Sequence, residues 1–483
     1  MKKISPTYIR LAILLLVLSG NLLLKTLELL EYSASGKALT FYFSLSPYLS
    51  EPWKLLLPFH IGDNFYRWST TGLVISSIPQ LFSNILGPYI TLYVFNAFLI
   101  VTTFVTSWYL FKSTIFAFTM TLCMAFGTQF NGLYGNYSIV IYYLLIAYIE
   151  INILFLVLIL RGRENTKILN IGFTISLILA ALCWETWIDY AVFLLFLFII
   201  LYVIFRKKGN AEGLKKTKAL FAVLISIVIV YLAVKVTYST GVSEHFTHGK
   251  EGEVVFSYIL DDPKYGMIAV EDVLSNVLTL NFIALSNYLP SFLVSSNSLT
   301  SLGQDVVTLQ YNYHKDLSHL TYYHHLFYWY FLAGVGFVIF LYFFVRYLKS
   351  SLSKPCSRDN IFIFAALLLI LTGSFSHMFI KFRPYMSVPL LSYKCIISIL
   401  GVSYLISFLL MKLHQSGRKR MYIAIACLSW FLIVFGGFTR NATLSHLGSL
   451  VMPGSNYAHI PEPLRHSPIK NFEKAMLYYQ KYQ

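Results

Sequence analysis

Apolar residues in this chain of 483 come in near-unbroken runs of about twenty, separated by short polar or basic breaks. Eleven such segments can be traced, at about 9–29, 90–111, 113–130, 136–160, 168–184, 188–205, 219–238, 326–346, 361–379, 395–413 and 421–438. A helix rising 1.5 Å per residue needs about twenty residues to cover a hydrocarbon core roughly 30 Å thick. The pattern therefore predicts an all-α polytopic membrane protein with about 11 transmembrane helices. A membrane β-barrel is excluded, because its strands would alternate over about ten residues. Two further stretches read differently. Residues 71–88 contain Pro79 and four Ser or Asn residues, which predicts an amphipathic helix lying at the outer interface. Residues 274–296 contain Asn276, Asn281, Asn287 and Pro290, which predicts a re-entrant or interfacial helix.

The breaks between segments carry the orientation. Residues 1–10, Lys112, 161–167, 206–218, 346–360 and 412–420 hold 21 Lys and Arg within short connections. The alternate connections hold 14, spread over far more chain. Cytoplasmic loops are the ones enriched in Lys and Arg, so the expected topology is N-in and C-out. The chain then divides into a membrane module (1–238) with a first outer loop (31–89), and a large outer loop (239–325). C-terminal helices (326–438) and an outer-face tail (439–483) complete it. The N-terminus carries Lys2, Lys3 and Arg10 before an apolar run, but no A-x-A-like cleavage site follows; a retained first helix is expected.

Composition agrees: 57% of residues are hydrophobic, 17% aromatic and 12% charged, about half the charge of an average soluble domain. The net charge of +16 is accounted for by the positive-inside bias, so no nucleic-acid partner is expected. Five scattered cysteines (Cys123, Cys183, Cys356, Cys395, Cys427) show no paired spacing, and neither a zinc site nor a disulfide framework follows.

Acidic residues are scarce, so position matters more than identity. The first outer loop holds Glu31, Glu51 and Asp63, and Asp63 sits in the acidic-aromatic stretch FHIGDNFYRWST (59–70). Its bland alternative is a solvated turn residue or a helix cap. Arg67, one helical turn later, is placed to orient the carboxylate or to contact phosphate, a simple i,i+4 ion pair being the competing role. A second outer turn reads Cys183-Trp184-Glu185-Thr186-Trp187-Ile188-Asp189-Tyr190. Glu185 and Asp189 share a helix face beside Trp187, a ring of the kind that stacks on sugars; interfacial anchoring is the competing role. In the loop 380–394, Lys381 and Arg383 follow His377 and run against the positive-inside trend, which makes them candidates for gripping a phosphate. His314, His319, His324 and His325 match no metal-ligand spacing, and Asp261-Asp262 is followed by Pro263, a turn signal. The stretch 467–479 has the spacing of a short amphipathic surface helix. Few charges fall inside the spans, Glu150 being the clearest.

The order of one cytosolic end, one span, a long outer loop bearing the Asp63 motif, an interfacial stretch and then closely spaced helices resembles the polytopic glycosyltransferases of the C superfamily (GT-C fold). The likeness in layout covers roughly 1–240. Among those relatives it resembles most the three-component, phage-type, serotype-converting glucosyltransferases that decorate O-antigen. The resemblance implies transfer of a sugar, glucose in that group, from a polyprenyl-phosphate carrier to a cell-surface polysaccharide or lipopolysaccharide. It implies an active site on the periplasmic face of a bacterial inner membrane, and partnership with a small flippase and a polyprenyl-phosphate sugar synthase. The first-loop carboxylate that acts as base maps onto Asp63, with Glu31 next in line. On this reading Arg383, Lys381 and Arg67 are the candidates for the donor phosphate, with snorkelling to lipid headgroups the competing role of Lys381 and Arg383. Trp187, Glu185 and Asp189 are the candidates for facing substrate. No cofactor is implied. The Asp-x-Asp pair that some members carry is missing here, and a divalent metal is left open.

Two alternatives stand beside this reading. An O-antigen or capsule polymerase would share the length and spans but would depend on basic outer loops. A lipid-linked sugar flippase would show two similar halves and charged groups near mid-span. Here no halves match, and few charges fall mid-span apart from Glu150, which counts against it.

Overall fold

The computed structural model describes residues 6–34, 59–61, 65–67, 88–127, 139–162, 166–183, 186–239, seven positions between 277 and 288, 320–352, 358–378 and 395–451. They form twelve helices and one β-hairpin. In chain order these are α1 (Pro6–Ala34), β1 (Phe59–Ile61), β2 (Phe65–Arg67), α2 (Pro88–Phe111), α3 (Thr114–Phe126), α4 (Ile139–Leu160) and α5 (Thr166–Cys183). Then follow α6 (Trp187–Lys208), α7 (Ala211–Ser239), α8 (Leu320–Leu352), α9 (Arg358–Thr372), α10 (Phe375–Met378), α11 (Ile396–Gln415) and α12 (Lys419–Val451).

Each of the eleven expected apolar segments falls on helix, and eight of these helices are long and apolar enough to cross a membrane. They are α1, α2, α4, α6, α7, α8, α11 and α12. The outer faces of α1, α7, α8 and α12 present exposed Leu16, Val230, Val338 and Phe431, a surface suited to lipid rather than water. The core is built around α3, α4 and α11, with Met120, Tyr143, Ile146 and Leu400 fully enclosed.

Side-chain pairs fix the direction of each helix. Along α1 and α2, Arg10 stacks on Trp108 (4.6 Å), Asn96 donates to Asn21, and Thr26 meets Tyr93 (3.2 Å). That register is antiparallel. Thr103 bonds Glu150 at 2.7 Å and Arg161 donates to the Leu110 carbonyl at 2.7 Å, so α2 and α4 run parallel. The chain must return between them. It turns sharply at Lys112, whose φ of 54° is left-handed, and Ser113 then caps α3 by accepting from the Phe116 amide. With 13 residues, α3 rises about 20 Å, to the level where Asn21 donates to the Ala125 carbonyl.

The remaining pairs bring the basic connections to one end of the bundle. Gly162 lies against Lys216 and Glu212 at the start of α7. Gly209, at φ 66°, closes the α6–α7 turn with an Asn210 amide bonded to the Phe205 carbonyl. Asn360 meets Ser350 at 2.6 Å, Lys412 pairs with Asp359 at 2.6 Å, and the Phe111 ring packs on Phe362 and Phe408. The long stretches 35–87, 240–319 and 379–394 all leave from and return to the opposite end.

One expected span is interrupted. Residues 358–378 break at Gly373–Ser374 between α9 and α10. Gly373 presses on the backbone of Ile397 and Ser398, leaving no room for a β-carbon. Close backbone approach at small residues is how helices pack where no hydrophobic effect drives them together. Gly373→Val should therefore destabilise the protein by about 1–3 kcal/mol, read as a lowered Tm of the detergent-purified protein. Gly417→Ala, at a turn with open space around it but a φ of 76°, should cost less.

Candidate functional site

The sequence places candidate chemistry on the connections at the end opposite the basic one, and there the described residues hold one buried carboxylate. Asp189 lies in the first turn of α6 and has no solvent exposure. Its Oδ1 accepts from the Ser376 amide at 2.6 Å. That amide belongs to the first turn of α10, where backbone N–H groups have no helical partner of their own. The break at Gly373 thus creates donors inside the bundle, and Asp189 meets one of them. The break is held from the other side by Ser398, whose hydroxyl contacts Ser374 (2.8 Å) and donates to the Ile370 carbonyl (2.8 Å).

This contact joins two candidate regions separated by 187 residues. Lys381 and Arg383 follow Met378 by three and five positions in the chain, though both lie outside the described residues. Trp187 is also fully buried, with its ring edge-on to Tyr231 of α7 at 5.0 Å. An indole held this way belongs to the α6–α7 packing. Glu185 lies outside the described residues.

Asp63 likewise lies outside them, but the chain on either side of it is paired. Phe59 faces Arg67, His60 faces Tyr66 and Ile61 faces Phe65 in antiparallel register. Arg67 is therefore on a strand, and the helical turn expected between Asp63 and Arg67 is not the geometry found. Aromatic and β-branched residues flanking Gly62-Asp63-Asn64 favour a hairpin over a helix. Glu31 is on the last turns of α1, its side chain outside the described part. Asp261-Asp262, the four histidines at 314–325, the stretch 71–87 and the segment 467–479 are outside it in the same way, apart from the backbone of His324 and His325 at the start of α8. His377 is placed on α10 by its backbone.

Two polar groupings in the bundle were only partly legible in the sequence. Tyr190, next to Asp189, donates to Asn152 of α4 at 2.8 Å. Asn152 in turn donates to the Phe173 carbonyl (2.7 Å) and the Ser176 hydroxyl (2.9 Å) on α5. The signal was an Asn two residues after Glu150 in an otherwise apolar helix. The second grouping is the 274–296 stretch, where described positions 277, 280, 281, 284 and 288 follow one helical face. Leu280, Asn281, Ala284 and Tyr288 are buried while Leu285 is exposed. The Tyr288 hydroxyl lies 2.6 Å from Ser403 of α11, beside Cys123 of α3.

Among the described residues no three of His, Cys, Asp and Glu gather as metal ligands. In comparisons by sequence and by structure, no family model, no curated protein and no solved structure matches the chain.

Asp189→Ala would remove this acceptor from the half-buried Ser376 amide and should lower stability by about 1–3 kcal/mol. Asp189→Asn keeps a carbonyl oxygen at that point and should recover most of the loss. Thermal unfolding of the three purified proteins reads the difference, and equal loss in both variants would show that the charge, not the acceptor, matters.

Proposed function

We propose that the protein is an integral-membrane glycosyltransferase of the GT-C type, moving a sugar from a polyprenyl-phosphate carrier to a cell-surface polysaccharide. What carries this reading is the Asp189–Ser376 contact at the end of the bundle where every long connection emerges. It ties the first turn of α6 to the short helix that precedes Lys381 and Arg383 in the chain. By the positive-inside rule the basic end faces the cytosol, which puts this end outside, with eleven crossings, N-in and C-out.

The chemistry is an inverting displacement. The acceptor hydroxyl oxygen attacks the anomeric carbon, its proton passes to the Asp63 carboxylate, and the bond from that carbon to the phosphate oxygen breaks. The leaving phosphate keeps the electron pair and its negative charge. Lys381 and Arg383 stabilise that charge, Arg through two parallel donors. Arg67, across the hairpin from Phe59, adds a third cation near the base in sequence. Glu31 is the reserve carboxylate of the same loop.

A second reading, a lipid-linked sugar flippase, is favoured by Glu150 in the middle of α4, since transporters place ionisable groups near mid-span.

The test is transfer itself. Purified protein given polyprenyl-phosphate glucose and lipopolysaccharide acceptor should move the sugar, and Asp63→Asn should lower the rate roughly 10²–10⁴-fold with unchanged expression. Full activity with both Asp63 and Glu31 neutralised removes the mechanism. Movement of the lipid-linked sugar across vesicles with no transfer selects the flippase.

A further inference from the structure

Glu150 sits where a carboxyl group is costly. It is at the centre of α4 and has no solvent exposure. Thr103 of α2 donates to its Oε2 at 2.7 Å. Its Oε1 is buried with no hydrogen-bond partner among the described residues, and none of their Lys, Arg or His side chains pairs with it. The hydroxyl of Tyr404 on α11 is buried and unpartnered in the same sense, and it lies within electrostatic reach of Glu150 and of Tyr190 on α6. Two helices therefore bring a carboxyl group and a hydroxyl into contact, a third places a second hydroxyl within electrostatic reach, and there is no positive charge among the three.

Apolar bundles do not keep such an arrangement without a complement. A bare carboxylate oxygen in a low-dielectric interior is strongly disfavoured, and an apolar side chain of the same volume would pack there more stably. The set contains acceptors for one positive charge and nothing that supplies it. Both orphan oxygens are closed to solvent, so the missing partner is small. Buried ionisable groups within membrane spans mark ion or proton sites more often than structural ones.

We propose that Glu150, Thr103 and Tyr404 form a binding site for one small cation, either a proton or a sodium ion. The site is distinct from the outer-face chemistry assigned to Asp63 and does not depend on it. The titratable group within electrostatic reach of Glu150 is Tyr404 from α11, which is itself coupled to Tyr190 from α6; from α2 the Thr103 hydroxyl bonds the carboxyl group.

The experiment is thermal unfolding of the full chain in detergent, for the wild type and Glu150→Gln. Sodium is exchanged for N-methylglucamine at constant ionic strength, and pH is stepped from mildly acidic to mildly alkaline. A sodium site gives a wild-type Tm that rises with sodium and a Glu150→Gln Tm that does not. A proton site gives no sodium response. Instead the wild type gains stability over Glu150→Gln as pH falls and loses it as pH rises, because the folded state then binds the proton more tightly. Parallel behaviour of the two proteins across both series overturns the proposal. If Glu150→Gln does not fold, infrared difference spectra of the wild type decide. A carboxylic C=O band that is lost on raising pH or adding sodium supports the site, and a spectrum unchanged by both overturns it.

Discussion

Polar groups inside an apolar bundle have no water to turn to, so each must find its partner in another helix. That constraint organises this molecule. Asn21 and Asn96 bond each other and reach the Ala125 carbonyl, which sets α1, α2 and α3 at one height. Asn152 does the same for α4, α5 and α6. Asp189 answers the amide freed by the break in the helix of 358–378. Glu150 departs from this pattern, half satisfied by Thr103, and among the described residues that depart from it Glu150 is the one carboxyl group at the centre of a span.

The constraint also explains the contrast between the two ends. Short basic turns close one end, where Arg10 and Lys112 lie over Trp108 and Arg161 donates to the Leu110 carbonyl near the end of α2. Cations at a helix C-terminus are favoured both by the dipole and by the free carbonyls. The other end carries the long connections, the hairpin around residue 63 by chain position, and the docked face of 277–288. A molecule built this way has one end devoted to anchoring and one with enough chain to make a site.

How much of this was legible beforehand differs by element. Helix positions followed from run length, because a span of apolar residues has only one way to satisfy its backbone in lipid. The break at Gly373 was not visible, since a lone Gly in an apolar run signals nothing until Ile397 and Ser398 are known to press on it. Asp189 was singled out for its place beside aromatic rings. Its actual partner, Ser376, is a backbone amide that no residue pattern marks. The Asp63–Arg67 spacing suggested a helical turn, whereas the strands at 59–61 and 65–67 follow from cross-chain pairing. Trp187 had the sequence context of an exposed sugar platform and is instead packed on Tyr231.

The order of apolar and basic segments was enough to anticipate a bundle of long apolar helices, the gathering of its short basic connections at one end and the place of its long connections in the chain. Those properties depend on transfer free energy and length, which are sums over local residues. Which polar groups meet depends on the heights and rotations at which helices pack. Packing alone therefore put Asp189 against Ser376, lodged the 277–288 face beside Ser403, and left one oxygen of Glu150 without a hydrogen-bond partner among the described residues.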